Sequence, residues 1–159
     1  MGREVGLPLP CPWQQPTSHI QEKQLMKEKI LIVEDNPLNM RLLEMVLSAK
    51  NYTLLKTTNG EEALDMAMRE RPDFIIMDIQ LPKMNGLEVA RKLRETLAFS
   101  HTPIIAITAY AMKGDKERVI ESGCDAYLSK PINTRELPGM IAEMLLQRRK
   151  DNPSTNRNE

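Results

Sequence analysis

Residues 29–37 read KILIVEDNP, and this stretch holds the repeating unit of the fold. Ile30-Leu31-Ile32-Val33 is apolar without interruption, whereas a strand with one face in water would alternate apolar and polar residues. Two acids follow, and then Asn36-Pro37, which opens a helix because Asn can cap the free amides and Pro suits the first helical position. A strand covered on both faces thus gives way, within three residues, to a helix expected over Pro37 to about Lys50. The pattern recurs along the chain: Phe74-Ile75-Ile76-Met77 and Ile104-Ile105-Ala106-Ile107 are equally continuous, and weaker strands fit Thr53 to Thr57 and Ala126 to Leu128. Between strands, Ala63, Leu64, Ala67 and Met68 share one helical face, as do Leu137, Ile141, Met144 and Leu145.

Strand then helix, five times over, predicts an α/β fold. With right-handed crossovers it is a five-stranded parallel sheet, doubly wound and flavodoxin-like, (βα)5, in the order 2-1-3-4-5. Prolines at 8, 10, 12 and 16 without any period set residues 1–27 apart as a disordered or loosely attached extension, leaving one domain over 28–149 and a polar tail at 150–159. Met26 stands directly before KEKILIVEDN, as an initiating methionine would, so residues 1–25 read as an upstream extension; the other methionines read as core filler.

Lys and Arg total 22 against 22 for Asp and Glu, so counterion release gives no drive toward nucleic acid, and none is expected as a partner. Two cysteines, Cys11 and Cys124, are too few for a disulfide framework and lack the paired spacing of a zinc site. No apolar run approaches a membrane span of about 18 residues, and prolines break up the opening segment. A cytoplasmic protein without a membrane association is the expectation.

In open α/β sheets ligands bind beyond the carboxyl ends of the strands, where the strand order reverses. There the chain carries Glu34-Asp35 after the first strand, Asp78 after the third, Thr108 at the end of the fourth and Lys130 shortly after the fifth. The expected order makes strands one and three neighbours and brings Glu34, Asp35 and Asp78 together. Three carboxylates in one place repel unless a cation sits among them. An all-oxygen site favours a hard ion, and Mg2+ completes its shell with waters and phosphate oxygens. A carboxylate in such a site can accept a phosphoryl group, with Lys130 as counter-charge and the Thr108 hydroxyl on a phosphoryl oxygen. Each residue also has a plainer reading. A single Asp at a strand end is more often a turn former, Glu34 could cap beside Asp35, and Tyr127 could be ordinary core. It is the joint placement at four strand ends that argues for chemistry. His19 and His101 have no ligand partner at useful spacing, and Arg148-Arg149-Lys150 reads as a solvated run complementing the last helix's dipole.

LIVEDNP, IIMDIQLPKMNG, PIIAITAYA and YLSKPI resemble the four signature stretches of response-regulator receiver domains, and the resemblance covers about residues 28–149. Within that family, IQLP, TAYAMKGD and SKPI look most like DivK-type single-domain regulators and the receivers of hybrid kinases. The resemblance implies a phosphoacceptor at Asp78 and Mg2+ held by Glu34, Asp35, Asp78 and the main-chain carbonyl of Gln80. It also implies a switch aromatic at Tyr127 and a cis bond before Pro131. The implied partners are a sensor histidine kinase or histidine phosphotransfer protein and a downstream protein reading the face of helix four, strand five and helix five, roughly Lys113 to Ser122 and Tyr127 to Leu146. The chain itself would be no enzyme beyond its own phosphotransfer and slow self-dephosphorylation, and a monomer or a weak phosphorylation-dependent dimer. A relay intermediate or scaffold receiver would carry much the same sequence. A haloacid-dehalogenase-like phosphohydrolase needs a second Asp two places after its acceptor, where Gln80 stands and cannot act as an acid. A flavin module needs a hydroxyl-rich loop after strand one, where EDNP stands, and aromatics to sandwich the ring, which are only 4% of this chain.

Overall fold

A computed structural model describes residues 27–109 and 113–152. Of the expected extension over 1–27, residues 1–26, with Cys11 and His19, lie outside the described residues, as do residues 153–159 of the expected tail. Strands β1 (Lys29–Val33), β2 (Thr53–Thr57), β3 (Phe74–Asp78), β4 (Ile104–Thr108) and β5 (Ala126–Ser129) alternate with helices α1 (Pro37–Ser48), α2 (Gly60–Glu70), α3 (Gly86–Glu95), α4 (Asp115–Glu121) and α5 (Leu137–Asp151). All pairings are parallel and the order is β2-β1-β3-β4-β5, as expected.

The uninterrupted apolar runs follow from this layering, because alternate residues of one strand serve opposite faces. Leu31, Val33, Ile75, Met77 and Ala106 pack with Ala63, Ala67, Val89, Leu93 and Val119 from α2, α3 and α4. Ile30, Ile32, Phe74, Ile76 and Ile107 pack with Leu43, Leu47, Leu137, Ile141 and Leu145 from α1 and α5. Asn36 caps α1 as read from sequence, its Oδ1 accepting the N–H groups of Leu38 at 2.9 Å and Asn39 at 3.2 Å.

Three local expectations need correction. Helix α1 stops at Ser48 rather than near Lys50, because the backbone turns and Asn51 takes a left-handed φ of 62°. Helix α4 starts at Asp115 rather than Lys113, since Gly114 before it holds φ 104°, outside any helix. The basic run is not simply solvated. Arg148 Nη1 donates to Asp73 Oδ1 at 2.7 Å and to the Asp73 carbonyl at 3.0 Å, and Arg149 pairs with Glu28. Asp73 Oδ2 in turn accepts the Lys29 N–H at 2.9 Å, so the end of α5 is fastened to the starts of β1 and β3. Arg148→Ala is therefore expected to lower stability by about 1.5–3 kcal/mol, the range for charged hydrogen bonds. Urea denaturation checks this, and a change within about 0.5 kcal/mol, typical of a surface substitution, would return Arg148 to the solvent.

Candidate functional site

The sheet delivers its polar residues to one edge. Glu34 follows β1 directly, and its N–H donates to the Thr57 carbonyl at 3.1 Å, so the neighbouring strand fixes its backbone. Its side chain is buried, with Oε1 accepting the Asn36 N–H at 3.0 Å. Asp35 beside it is exposed. Asp78 ends β3 and is only 2% exposed, with the Gln80 N–H donating to Oδ1 at 3.0 Å and Lys130 Nζ to Oδ2 at 2.9 Å. Lys130 is set by its own backbone, whose N–H donates to the Thr108 carbonyl at 2.7 Å, and the bond to Pro131 is cis, as the resemblance implies. Its ammonium also stands 3.3 Å from Glu34 Oε2.

Glu34, Asp35 and Asp78 can each offer a carboxylate oxygen within 4.8 Å of the others. Burial raises the Glu34 carboxyl above its ordinary range, against the lowering effect of the Asn36 N–H, and the Asp78 charge pushes the same way as burial. Lys130 moves oppositely to what burial alone would do: the Asp78 hydrogen bond and the charges of Asp78 and Glu34 outweigh desolvation and hold its ammonium above the usual lysine range. Glu34 Oε2 is buried, and among the described residues its one close partner is the Lys130 ammonium at 3.3 Å, an ion pair of poor hydrogen-bond geometry. An oxygen-only donor set with a buried acceptor left over suits a hard divalent cation.

Thr108 is buried at the end of β4, opposite Ser129 of β5. A cleft of about 360 Å3 opens beside it, with Gln80, Asn85, Leu87 and Val119 among its walls. Tyr127, opposite Ala106, is half-buried and packs against the cluster beneath α2, α3 and α4.

Sequence reasoning missed Gly86. Its N–H donates to the Ile79 carbonyl at 3.0 Å, and a Cβ there would lie 2.1 Å from the Asp78 carbonyl oxygen, so α3 begins directly against the backbone of Asp78. The intervening loop turns sharply at Lys83, where φ is 67° and the Met84 N–H reaches the Pro82 carbonyl at 2.8 Å. Pro82 and the Asn85-Gly86 pair were the available signal. Asn85 is the α3 cap, accepting the Leu87 N–H at 2.8 Å.

Residues 30–142 match the family model of the response regulator receiver domain. The chain is 52% identical over 108 residues to the polar-differentiation response regulator DivK of Brucella anthropi, a stretch covering 68% of this chain and 88% of that protein. It superposes with a TM-score of 0.70 and 35% identity on the receiver domain of a sensor histidine kinase from Pseudomonas aeruginosa PAO1. That domain was crystallised with a magnesium ion coordinated in the active-site cleft, and the match covers 76% of this chain and 98% of that one. The manganese-bound form of the response regulator Rcp1 matches with a TM-score of 0.63 at 26% identity, over 72% and 88% of the two chains. No helix among the described residues is long and apolar enough to cross a membrane. A parallel sheet in this order, carrying acids, threonine and lysine at its strand ends, and a family match over most of the length lead to one conclusion: the chain belongs to the response-regulator receiver domain family.

Proposed function

We propose that Asp78 is the phosphoacceptor of this receiver, loaded by a sensor histidine kinase or a histidine phosphotransfer protein. The observation that carries this is the buried Asp78 carboxylate, with Lys130 Nζ at 2.9 Å on one oxygen and the Gln80 N–H at 3.0 Å on the other. An Asp78 oxygen forms the new bond to phosphorus as the donor's P–N bond breaks, and the electron pair leaves on the imidazole nitrogen. Glu34, Asp35, the Asp78 carboxylate and the Gln80 main-chain carbonyl would hold Mg2+. That ion, when bound, offsets charge on the transferring oxygens. Lys130 gives the same oxygens a fixed ammonium, already placed in a water-poor pocket, and the Thr108 hydroxyl hydrogen-bonds the phosphoryl group once it is attached. The chain acts as a cytoplasmic signalling protein whose catalysis is limited to its own loading and slow unloading. Its receiver unit spans 28–149, and it works as a monomer or a weak phosphorylation-dependent dimer.

The test is incubation with acetyl phosphate and an intact-mass readout. One added phosphoryl group is expected in Mg2+ and none in excess EDTA; an unlabelled protein in both would overturn the reading.

Output is read by a downstream protein rather than by nucleic acid, on the face of α4, β5 and α5. Phosphorylation brings new charge and oxygens to Asp78, Thr108 follows them, and Tyr127 turns further into the packing it already borders. Coupling of this kind is typically about 1–3 kcal/mol, so the phosphorylated state should bind its target roughly 5- to 150-fold differently. Tyr127→Ala is expected to shrink that factor while labelling of Asp78 stays near normal. Titration of the target with and without beryllofluoride decides it, and equal gains for both proteins would leave Tyr127 as core packing.

A further inference from the structure

Helix α4 follows Gly114, which offers no side chain to cap the free amides and lies at φ 104°; among the described residues nothing stands within 4 Å of where a Cβ would project. The other end is fastened. Ser122 Oγ donates to the Val119 carbonyl at 2.6 Å, and the Gly123 and Cys124 N–H groups turn back to the carbonyls of Ile120 at 3.0 Å and Val119 at 3.3 Å. Arg94, near the end of α3, then reaches across with its whole guanidinium. Nε donates to the Gly123 carbonyl at 2.7 Å, Nη1 to the Thr102 carbonyl at 2.7 Å and the Phe99 carbonyl at 2.5 Å, and Nη2 to Asp125 Oδ2 at 2.6 Å. Asp125 Oδ2 also accepts the Ile104 N–H at 2.8 Å, and the Asp125 N–H returns to the Ile104 carbonyl at 2.9 Å. Gly123 sits at φ 98°, and a Cβ on it would meet Arg94 Cγ at 2.4 Å, so the arginine stem runs against the turn itself. The other end of α3 is Gly86, pressed on the Asp78 backbone. A single helix of 10 residues therefore connects the phosphoacceptor with the base of α4.

We infer that Arg94 is a positioning residue of the switch. It fixes the C-terminal end of α4 and the start of β5 to α3, so that the rearrangement following phosphorylation pivots at Gly123 and is confined to the N-terminal turns of α4. The inference rests on the reading of Asp78 as phosphoacceptor. A planar fork serving carbonyls on separate segments and a carboxylate is a task for arginine alone, because a lysine ammonium is a single point donor and cannot span them.

The test uses the full chain and amide hydrogen exchange by NMR, with and without beryllofluoride in Mg2+. In the wild type, Ile79 and Gln80 report occupancy of the site. The Arg118 amide, which bonds the Gly114 carbonyl, is expected to change its exchange rate by at least about fivefold, the lower end of typical coupling. Cys124 and Asp125 should change by less than about twofold, as amides held outside the local opening do. In Arg94→Lys the change should spread to Cys124 and Asp125 and equal that at Arg118, since the helix then moves as a whole. Asp125→Asn, which keeps an oxygen for the Ile104 N–H but drops the charge facing Arg94, should spread it partway and serves if Arg94→Lys does not fold. The same confined pattern in wild type and variants would overturn the inference and leave Arg94 a plain structural tie. No response at Ile79 and Gln80 in the wild type would instead overturn the phosphoacceptor reading beneath it.

Discussion

Asp78→Asn is expected to abolish Mg2+-dependent labelling by acetyl phosphate while leaving the fold intact. The substitution changes two things at the acceptor and little else. An amide has its nitrogen lone pair delocalised and its oxygen uncharged, so neither atom attacks phosphorus as a carboxylate oxygen does. The negative charge facing Lys130 Nζ at 2.9 Å also disappears. Packing survives, because Asn matches Asp in volume and its carbonyl oxygen can still accept the Gln80 N–H now bound to Oδ1. The amide nitrogen that then replaces Oδ2 cannot accept from Lys130, whose ammonium turns to Glu34 Oε2, now 3.3 Å away. Intact mass after incubation with the phosphodonor reads the first effect, and a thermal melt reads the second. Full labelling of the variant would show that another side chain accepts the phosphoryl group; Asp35, exposed beside the same cluster, would then be examined first.

Gly86→Ala is expected to cost about 3 kcal/mol, the upper part of the usual range for an overpacked site. The added Cβ would stand 2.1 Å from the Asp78 carbonyl oxygen and 3.0 Å from Ile79 Cα. Both are backbone atoms, one in the last residue of the fully buried β3 and the other in the residue after it, so no side chain can swing aside. The helix must back away from β3, and it carries with it the loop from which the Gln80 N–H reaches Asp78, so labelling should fall together with stability. Gly139 is the control with opposite sign. It lies within α5, a Cβ there meets nothing within 4 Å, and Gly139→Ala should stabilise by about 0.5–1 kcal/mol through helix propensity. Urea denaturation of the two variants gives both numbers. A Gly86→Ala protein within about 0.5 kcal/mol of wild type would mean that the α3 start yields far more easily than two backbone contacts permit.

Much of this molecule could be read in the sequence, for identifiable reasons. Uninterrupted apolar runs are a direct imprint of strands covered on both faces, and Asn36-Pro37 is a cap written in side chains. The acids, Thr108 and Lys130 stood out because strand ends are places that a linear pattern can locate. What escaped depends on contacts with main-chain atoms far along the chain. Arg94 is satisfied largely by carbonyls of Phe99, Thr102 and Gly123, and carbonyls leave no trace in a sequence. Arg148 looked like the ordinary basic end of a helix until its partner Asp73, 75 positions away, came into view. Gly86 matters for an atom it lacks. The ends of α1 and α4 follow from left-handed residues at Asn51 and Gly114, residue types that admit this conformation without requiring it, so neither fixes a boundary by itself.

The fastening of Lys29, Asp73 and Arg148, with Glu28 and Arg149 alongside, lies at the starts of the strands, and Asp78 lies at their far ends. The described residues that flank the sheet therefore meet at a stapled base, and the proposed phosphoacceptor is carried on the opposite pole. Such an arrangement makes the unit portable: spliced to other sequences at either terminus, it would keep its chemical head pointing outward and free, with the splice anchored where no reaction takes place.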